Sequence, residues 1–160
     1  MSSILNLKNK KVIGRGTYGI IYSVGDKVVK VSNYLLSNKA VGEFEEKRLE
    51  DEYTVQRDLY EKGVRVPRPQ GIVRVMNETK KSVGILMDKI NGDLLWNSMG
   101  APDYDLLQEM RIKEEDKAKY LGFNIIDRHG GNAMVDHSRK VFLIDFGGCS
   151  SPENLEKMVA

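Results

Sequence analysis

Residues 125–148, IIDRHGGNAMVDHSRKVFLIDFGG, decide the fold and suggest the chemistry. Their two apolar runs, NAMV and KVFLIDF, are joined by the turn-prone segment DHSRK, a pattern that predicts a β-hairpin. Such a hairpin brings Asn132 and Asp145 to the same end. An amide and a carboxylate held there can share a Mg²⁺ ion, which prefers oxygen ligands and keeps nucleotide phosphates in its shell. Asp127, one loop away, is free to take a proton from an attacking hydroxyl, so the stretch predicts phosphoryl transfer.

The bulk composition is that of an ordinary globular domain. The chain of 160 residues is 41% hydrophobic and 30% charged, which gives room for one compact domain or two small lobes. A net charge of +2 gives no electrostatic reason to expect nucleic acid or a membrane as partner. The single Cys149 excludes an internal disulfide and a cysteine-based zinc site. Because the start, MSSILNLKNKK, lacks a signal-peptide pattern and no apolar run approaches membrane length, we expect a soluble, cytoplasmic protein.

The first half predicts a small antiparallel sheet packed with one helix. Residues 11–31 alternate β-branched residues with glycine turns and predict three antiparallel strands, and residues 72–90 predict a hairpin turning at 77–81. Residues 37–62 predict a long helix that ends at Gly63. The apolar stripe of this helix consists of Val41, Phe44, Leu49, Val55 and Leu59.

The second half is expected to be shorter and more helical. Residues 91–105 predict a loop-rich connection, in which Trp96 carries no interpretation. Residues 105–122 predict a helix or a broken pair of helices, with Gly122 as the C-cap. His129 follows Asp127 closely enough to orient a substrate phosphate or the loop backbone.

Gly14, Gly16 and Gly19 lie between two strand patterns. That position argues against a dinucleotide-binding fold, in which the same spacing must open a helix. A glycine-rich hairpin instead lets backbone amides close over phosphates, although turn glycines also serve purely structural purposes.

Lys30, in the strand pattern VVKV, has two interpretations. It is either a solvated lysine on a half-exposed sheet or a point-charge phosphate ligand. Its rival Lys27 lies beside a turn and is expected to face solvent. Glu52 falls on the apolar side of the long helix, where a carboxylate is costly unless it meets a positive charge. Pairing with Lys30 would satisfy both groups, and a boundary position on a wide helix is the alternative.

Taken in order, GRGTYG, VVKV, Glu52, ILMDKI, DRHGGN and DFG resemble the protein-kinase-like superfamily over residues 12–148. The stretch from Glu52 through LYEKGVRVP is similar to small atypical kinases, namely the Rio type and the kinase of the archaeal and eukaryotic tRNA-threonylcarbamoyl complex. The DRHGGN loop is similar to those of phosphoinositide kinases and aminoglycoside phosphotransferases. The resemblance implies a two-lobed α+β fold, with an antiparallel-sheet N-lobe and one long helix in residues 1–90 and a reduced C-lobe in residues 91–160.

The resemblance also implies a role for each motif residue. Lys30 would contact the α- and β-phosphates and pair with Glu52, and Asp127 would be the catalytic base. Gly14, Gly16 and Gly19 would form the phosphate-covering loop. Asn132 and Asp145 would be the magnesium ligands. The residues implied to enclose adenine are Ile13, Ile21, Val28, Met134 and Ile144. The implied hinge, whose backbone hydrogen-bonds the adenine edge, runs from Met87 through Asp88 to Ile90.

We therefore expect an ATP- and Mg²⁺-dependent kinase that phosphorylates Ser or Thr of a protein, or itself. The alternatives are an ATP-binding pseudokinase acting as an interaction module and, from the DRHGGN loop, a small-molecule kinase. Ile125 stands where the usual His-Arg-Asp order has histidine, and no Ala-Pro-Glu motif follows Asp145. Regulation by activation-loop phosphorylation is therefore not expected, and a protein partner is expected to complete the short C-lobe.

Overall fold

The computed structural model describes residues 3–16, 19–32 and 39–152, which form an α+β fold. The chain divides into two compact units, the first made of Met1–Tyr53 with Arg68–Lys89 and the second of Thr54–Pro67 with Ile90–Ala160. The predicted boundary between residues 90 and 91 lies beside the division at Lys89. Residues 54–67 belong to the second unit, although they precede part of the first in the sequence.

The first unit contains one six-stranded sheet in the order β1-β5-β6-β4-β3-β2. Its strands are β1 (Leu5–Asn6), β2 (Val12–Arg15), β3 (Gly19–Val24), β4 (Lys27–Ser32), β5 (Pro69–Asn77) and β6 (Lys80–Asp88). The antiparallel pairs β2–β3, β3–β4 and β5–β6 confirm the predicted strands and hairpin. The expectation of a wholly antiparallel sheet is wrong at β1, which pairs in parallel with β5. Strand β1 has only two residues, too few to show an alternation of apolar and polar residues in the sequence.

The helix α1 (Lys39–Glu61) confirms the predicted long helix. Leu49, Val55 and Leu59 are buried, as the predicted apolar stripe requires. Phe44 is 66% exposed, so its assignment to that stripe is wrong. At 3.6 residues per turn, Phe44 lies only about 20° around the helix from the buried Val55, so the helical period alone does not predict the exposure of Phe44. The side chain of Val41 lies outside the described residues.

Alternation along β4 builds the core of the first unit. Val29 and Val31 pack with Tyr22 and Val75 on one face of the sheet. Val28 packs on the other face with Ile85, Met87 and the helix residue Leu49. Helix α1 therefore covers the face to which the side chain of Lys30 also belongs, since residues two apart on a strand share a face.

The second unit contains the antiparallel sheet β7-β8-β9 and the helix α2. These elements are β7 (Gly92–Leu94), a 3-10 turn (Leu95–Ser98), α2 (Tyr104–Tyr120), a second 3-10 turn (Gly130–Asn132), β8 (Ala133–Asp136) and β9 (Val141–Leu143). The pairing of β8 with β9 confirms the predicted hairpin, and α2 is one unbroken helix followed by Gly122 at a φ of 92°. Neither described helix is both long and apolar enough to cross a membrane.

The predicted loop-rich connection over residues 91–105 holds for residues 99–103, but it misses β7 and the first 3-10 turn. Glycine and aspartate are poor strand formers, so no local pattern indicates β7. Its pairing depends on close approach to β8: a Cβ at Gly92 would lie 1.8 Å from the carbonyl oxygen of Val135. The strand is therefore specified by its partner rather than by its own composition.

Candidate functional site

Lys30 and Glu52 form a buried ion pair in the first unit. Lys30 Nζ donates to Glu52 Oε1 at 2.5 Å, and the two side chains are only 9% and 5% exposed. The predicted pairing is thus confirmed, and the interpretation of Lys30 as a solvated lysine is wrong. Strand β4 lies between β3 and β6 beneath α1, so its lysine is covered on the helix side.

A second polar contact joins the same strand and helix. Ser32 Oγ donates to Glu45 Oε2 at 2.9 Å, and Arg48 Nη1 lies 3.3 Å from Glu45 Oε1. Lys30 and Ser32 are two residues apart on one face of β4, while Glu45 and Glu52 are two helical turns apart on α1. The two polar contacts, Lys30 with Glu52 and Ser32 with Glu45, therefore fix the position of α1 along β4 at two points.

Lys27, the rival lysine, belongs to a surface cluster of charges. Its Nζ lies 3.1 Å from carboxylate oxygens of both Asp88 and Asp26. Hydrogen bonding to Asp88, and then to Asp26, raises the pKa of Lys27 above its ordinary value. These contacts keep Lys27 at the strand end and distinguish it from the buried Lys30.

The glycine-rich loop closes on itself beside Lys30. Gly16 N donates to the carbonyl oxygen of Gly19 at 2.9 Å. A Cβ at Gly19 would lie 2.9 Å from Lys30 Cε and 3.0 Å from the carbonyl oxygen of Val31. Glycine at position 19 therefore gives the lysine chain its path across the sheet. Gly14 lies in β2, and residues 17 and 18 of the loop lie outside the described residues.

The residues expected around adenine lie in both units. Ile21, Val28 and Met87 belong to one apolar cluster in the first unit, whereas Ile13 is exposed on β2. Ile90, Met134 and Ile144 are half-buried residues of the second unit.

Two N–H groups of the expected hinge donate within the protein. Asp88 N donates to Arg68 O at 2.9 Å, and Lys89 N donates to Asp26 O at 3.3 Å. Hydrogen bonds from this segment to an adenine edge would therefore use its other backbone groups.

Asp127, Asn132 and Asp145 meet at one end of the β8–β9 hairpin in the second unit. Ile144 N donates to Asn132 O at 3.0 Å, which continues the hairpin and brings Asp145 beside the loop. Asn132 Nδ2 donates to the carbonyl oxygen of Asp127 at 2.5 Å. The amide oxygen of Asn132 is consequently the atom suited to a metal ion. The Asp127 carboxylate is 79% exposed.

Asp127 and Asp145 both have left-handed backbone, with φ of 52° and 63°. Glu78 and Arg139 share this conformation, but they occupy the β5–β6 and β8–β9 turns, where it is common. The two aspartates lie outside such turns. Left-handed non-glycine residues cost roughly 1–3 kcal/mol and persist where the surroundings fix them, most often at functional sites.

Arg128 fixes the backbone around both aspartates. Its guanidinium donates to the carbonyl oxygens of Ile126 at 3.1 Å, Ile144 at 3.2 Å and Asp145 at 2.7 Å. The same group lies 5.4 Å from the centre of the Phe146 ring. The sequence indicated only that an arginine follows Asp127. Its task as a clamp between the loop and the Asp-Phe-Gly segment depends on contacts that no local pattern encodes.

Trp96 and His129 form a second support beneath the loop. Their rings stack with centroids 4.6 Å apart and an interplanar angle of 17°. His129 Nδ1 accepts a hydrogen bond from Gly131 N at 3.0 Å, and His129 Nε2 lies 3.6 Å from Asp127 Oδ1. The hydrogen bond from Gly131 N agrees with the expectation that His129 orients the loop backbone, and orientation of a substrate phosphate by His129 stays a prediction. Trp96 is a residue that the sequence did not bring forward.

The comparisons with known proteins show likeness in structure only. No family model matches the chain, and no curated protein matches its sequence. Among solved structures it is similar to WbdD, determined as a co-crystal with the kinase inhibitor LY294002, with a TM-score of 0.57 and 20% identity.

The match to WbdD covers 91% of this chain and 34% of that chain, so the chain spans about a third of WbdD. The likeness therefore shows the fold alone. In all, 1166 solved chains match the structure, and a fold so widely shared does not determine a substrate. Particular kinship with the Rio type stays a prediction.

Proposed function

We propose that the chain is an ATP- and Mg²⁺-dependent phosphotransferase of the protein-kinase-like type. The observation that carries the proposal is the meeting of Asp127, Asn132 and Asp145 at one hairpin end, with both aspartates in left-handed backbone. Such strain, maintained by the Arg128 clamp, is typical of a site where side-chain direction matters more than local stability. The likeness of fold to an inhibitor-bound kinase-like structure agrees with this chemistry.

Asn132 and Asp145 would hold the metal ion. Mg²⁺ is commonly bound by one or two protein side chains, with water and phosphate oxygens completing its octahedron. The described residues contain no cluster of three His, Cys, Asp or Glu side chains, so an amide–carboxylate pair fits this mode of binding better than an all-protein cage. The ion would supply charge neutralisation at the transferring phosphate.

Asp127 would act as the base toward the acceptor hydroxyl. Its exposed carboxylate is reachable from solvent, while its backbone is fixed by Asn132 and by the neighbouring Arg128. A positioned base of this kind contributes typically about 10²- to 10⁴-fold to the rate.

Lys30 would place positive charge on the nucleotide phosphates. A buried ammonium keeps its orientation only if a counter-charge holds it, and Glu52 supplies that charge at 2.5 Å. Backbone amides of the loop bearing Gly14, Gly16 and Gly19 would cover the phosphates. Apolar contact with adenine would come from Ile21, Val28 and Met87, which belong to one apolar cluster of the first unit, and from Ile13 on β2.

The acceptor we propose is a Ser or Thr hydroxyl of a protein, which includes the chain itself. The resemblance of the ordered motifs to protein-kinase-like enzymes supports this choice over a small molecule. A protein partner would supply further substrate-binding surface.

The test is transfer of radiolabelled γ-phosphate from ATP to the protein itself and to proteins of a cell extract. Three proteins are compared: wild type, Asp127→Ala, and Asp116→Ala as a control that removes an exposed carboxylate from α2 in the same unit. We expect labelling by wild type and Asp116→Ala, and a fall of about 10²-fold or more in Asp127→Ala. Equal labelling by wild type and Asp127→Ala would refute the role of Asp127. ATP binding without any transfer would instead indicate a pseudokinase.

A further inference from the structure

We propose that Trp96 is a positioning residue for the loop that carries Asp127 and Asn132, acting through His129. This inference rests on the proposed role of that loop in phosphoryl transfer. The proposed role of Trp96 is indirect. Its indole stacks on His129, and His129 in turn contacts the side chains at both ends of the loop.

The loop backbone is shaped to lie directly against the indole. A Cβ at Gly130 would lie 2.3 Å from Trp96 Cδ1, and a Cβ at Gly131 would lie 3.0 Å from Trp96 Cζ3. Real Cβ atoms do not approach other heavy atoms to 2.3 Å, so a side chain at position 130 would push the loop and the ring apart. The glycine pair of the DRHGGN loop and the indole are therefore complementary parts of one packing contact.

The chain beside Trp96 is held by core packing. The neighbouring residue Leu95 is fully buried in a cluster with Leu107, Val135 and Val141. Trp96 nevertheless remains 48% exposed, so core packing alone does not account for a large aromatic residue at this position. The indole contacts the loop, and through this contact the packed chain beside β7 supports the loop.

His129 links the indole to the side chains of Asp127 and Asn132. Because Nδ1 accepts from Gly131 N, the neutral ring carries its proton on Nε2. That Nε2–H lies 3.6 Å from Asp127 Oδ1, an acceptor, and 3.5 Å from Asn132 Nδ2, which is itself a donor, so the contact with Asn132 is one of packing. Tilting of the imidazole would move its contacts to both residues at once. A misplacement of about 1 Å in a catalytic group can cost on the order of 10²-fold in rate.

The experiment compares wild type with Trp96→Leu, which removes the stacking partner, and Trp96→Phe, which keeps an aromatic ring. Tyr120→Leu removes an almost fully exposed aromatic residue of the same unit and serves as the matched control. The first readout is kcat and KM for ATP. The second is hydrogen exchange at the Gly131 amide, followed by NMR, because this N–H is the donor to His129 Nδ1.

We expect Trp96→Leu to lower kcat by about 10- to 100-fold with KM for ATP unchanged. Exchange at Gly131 should accelerate while amides of β8 and β9 keep their protection, and Trp96→Phe should recover most of both losses. Tyr120→Leu should match wild type. Unchanged Gly131 exchange in Trp96→Leu, or faster exchange throughout β8 and β9, would overturn the positioning role. So would a loss of kcat that Trp96→Phe does not restore.

The two proposals fail in different ways. If wild type transfers no phosphate under any condition, the proposed function fails, and the exchange measurement still tests Trp96. Faster exchange confined to the loop in Trp96→Leu would then support its positioning role, and unchanged exchange would overturn it.

Discussion

The burial of the Lys30–Glu52 pair predicts a large loss of stability when one partner is removed. The variant Glu52→Leu leaves the ammonium of Lys30 in a site where the lysine side chain is only 9% exposed. Removing one member of a buried ion pair costs about 3–5 kcal/mol, because the remaining charge stays desolvated. Helix α1 also contains an exposed ion pair with which the buried pair can be compared. Lys47 and Asp51 pair at 2.6 Å, nearly the same distance, but are 70% and 50% exposed.

Exposed ion pairs contribute at most about 1 kcal/mol, so Asp51→Leu should cost several-fold less than Glu52→Leu. The assay is urea unfolding followed by far-UV circular dichroism, with midpoint and slope compared among wild type and the two variants. A third variant, Lys30→Met with Glu52→Leu, replaces the pair by apolar side chains and should recover much of the loss. The reasoning is refuted if Glu52→Leu costs no more than Asp51→Leu, or if the double variant is less stable than Glu52→Leu alone.

Three further predictions concern the second unit. Gly92→Ala should destabilise the β7–β8 pairing, because the added Cβ would lie 1.8 Å from the carbonyl oxygen of Val135. Hydrogen exchange of the β7 amides should then be faster than in wild type, and equal exchange rates would refute the prediction. Leu143→Ala, which removes a fully buried core side chain, should cost about 2–5 kcal/mol in urea unfolding, and a loss below about 1 kcal/mol would contradict the packing. The hydrogen bond from Arg139 lowers the pKa of Asp103 below its ordinary value of 3.8. The stability that this ion pair contributes is therefore fully present above pH 3.8 and is lost as the pH falls through the lower pKa of Asp103 in the folded state. The difference in urea midpoint between wild type and Arg139→Gln should accordingly shrink on acidification. A difference that stays constant with pH would contradict this prediction.

The parts of the fold that could be predicted are those with a local signature. Alternation in β4 gave the faces of Val28 and Val29, and the helical period gave the inward side of Glu52. The pairing with Lys30 followed because a buried carboxylate needs a counter-charge. Whether β4 is covered is a property of the tertiary structure, which is why the sequence left two interpretations of Lys30.

The elements and residues that were missed depend on a distant partner. Strand β7 exists because Gly92 can approach the backbone of Val135, a fact that the composition of β7 does not contain. Trp96 and Arg128 each contact the loop through rings or carbonyl oxygens distant in sequence. The glycine pair of DRHGGN was the one available signal for Trp96, since adjacent glycines often mark the close approach of another group.

The central claim is that Asp127, with a metal ion on Asn132 and Asp145, promotes transfer of the γ-phosphate of ATP. Its most direct test is the rate at which radiolabelled γ-phosphate leaves ATP, measured with Mg²⁺ and with EDTA for wild type, Asp127→Ala and the control Asp116→Ala. We predict transfer by wild type and Asp116→Ala only with Mg²⁺, and a rate lower by about 10²-fold or more in Asp127→Ala. Transfer that persists in EDTA, or equal rates with and without the Asp127 carboxylate, would contradict the claim.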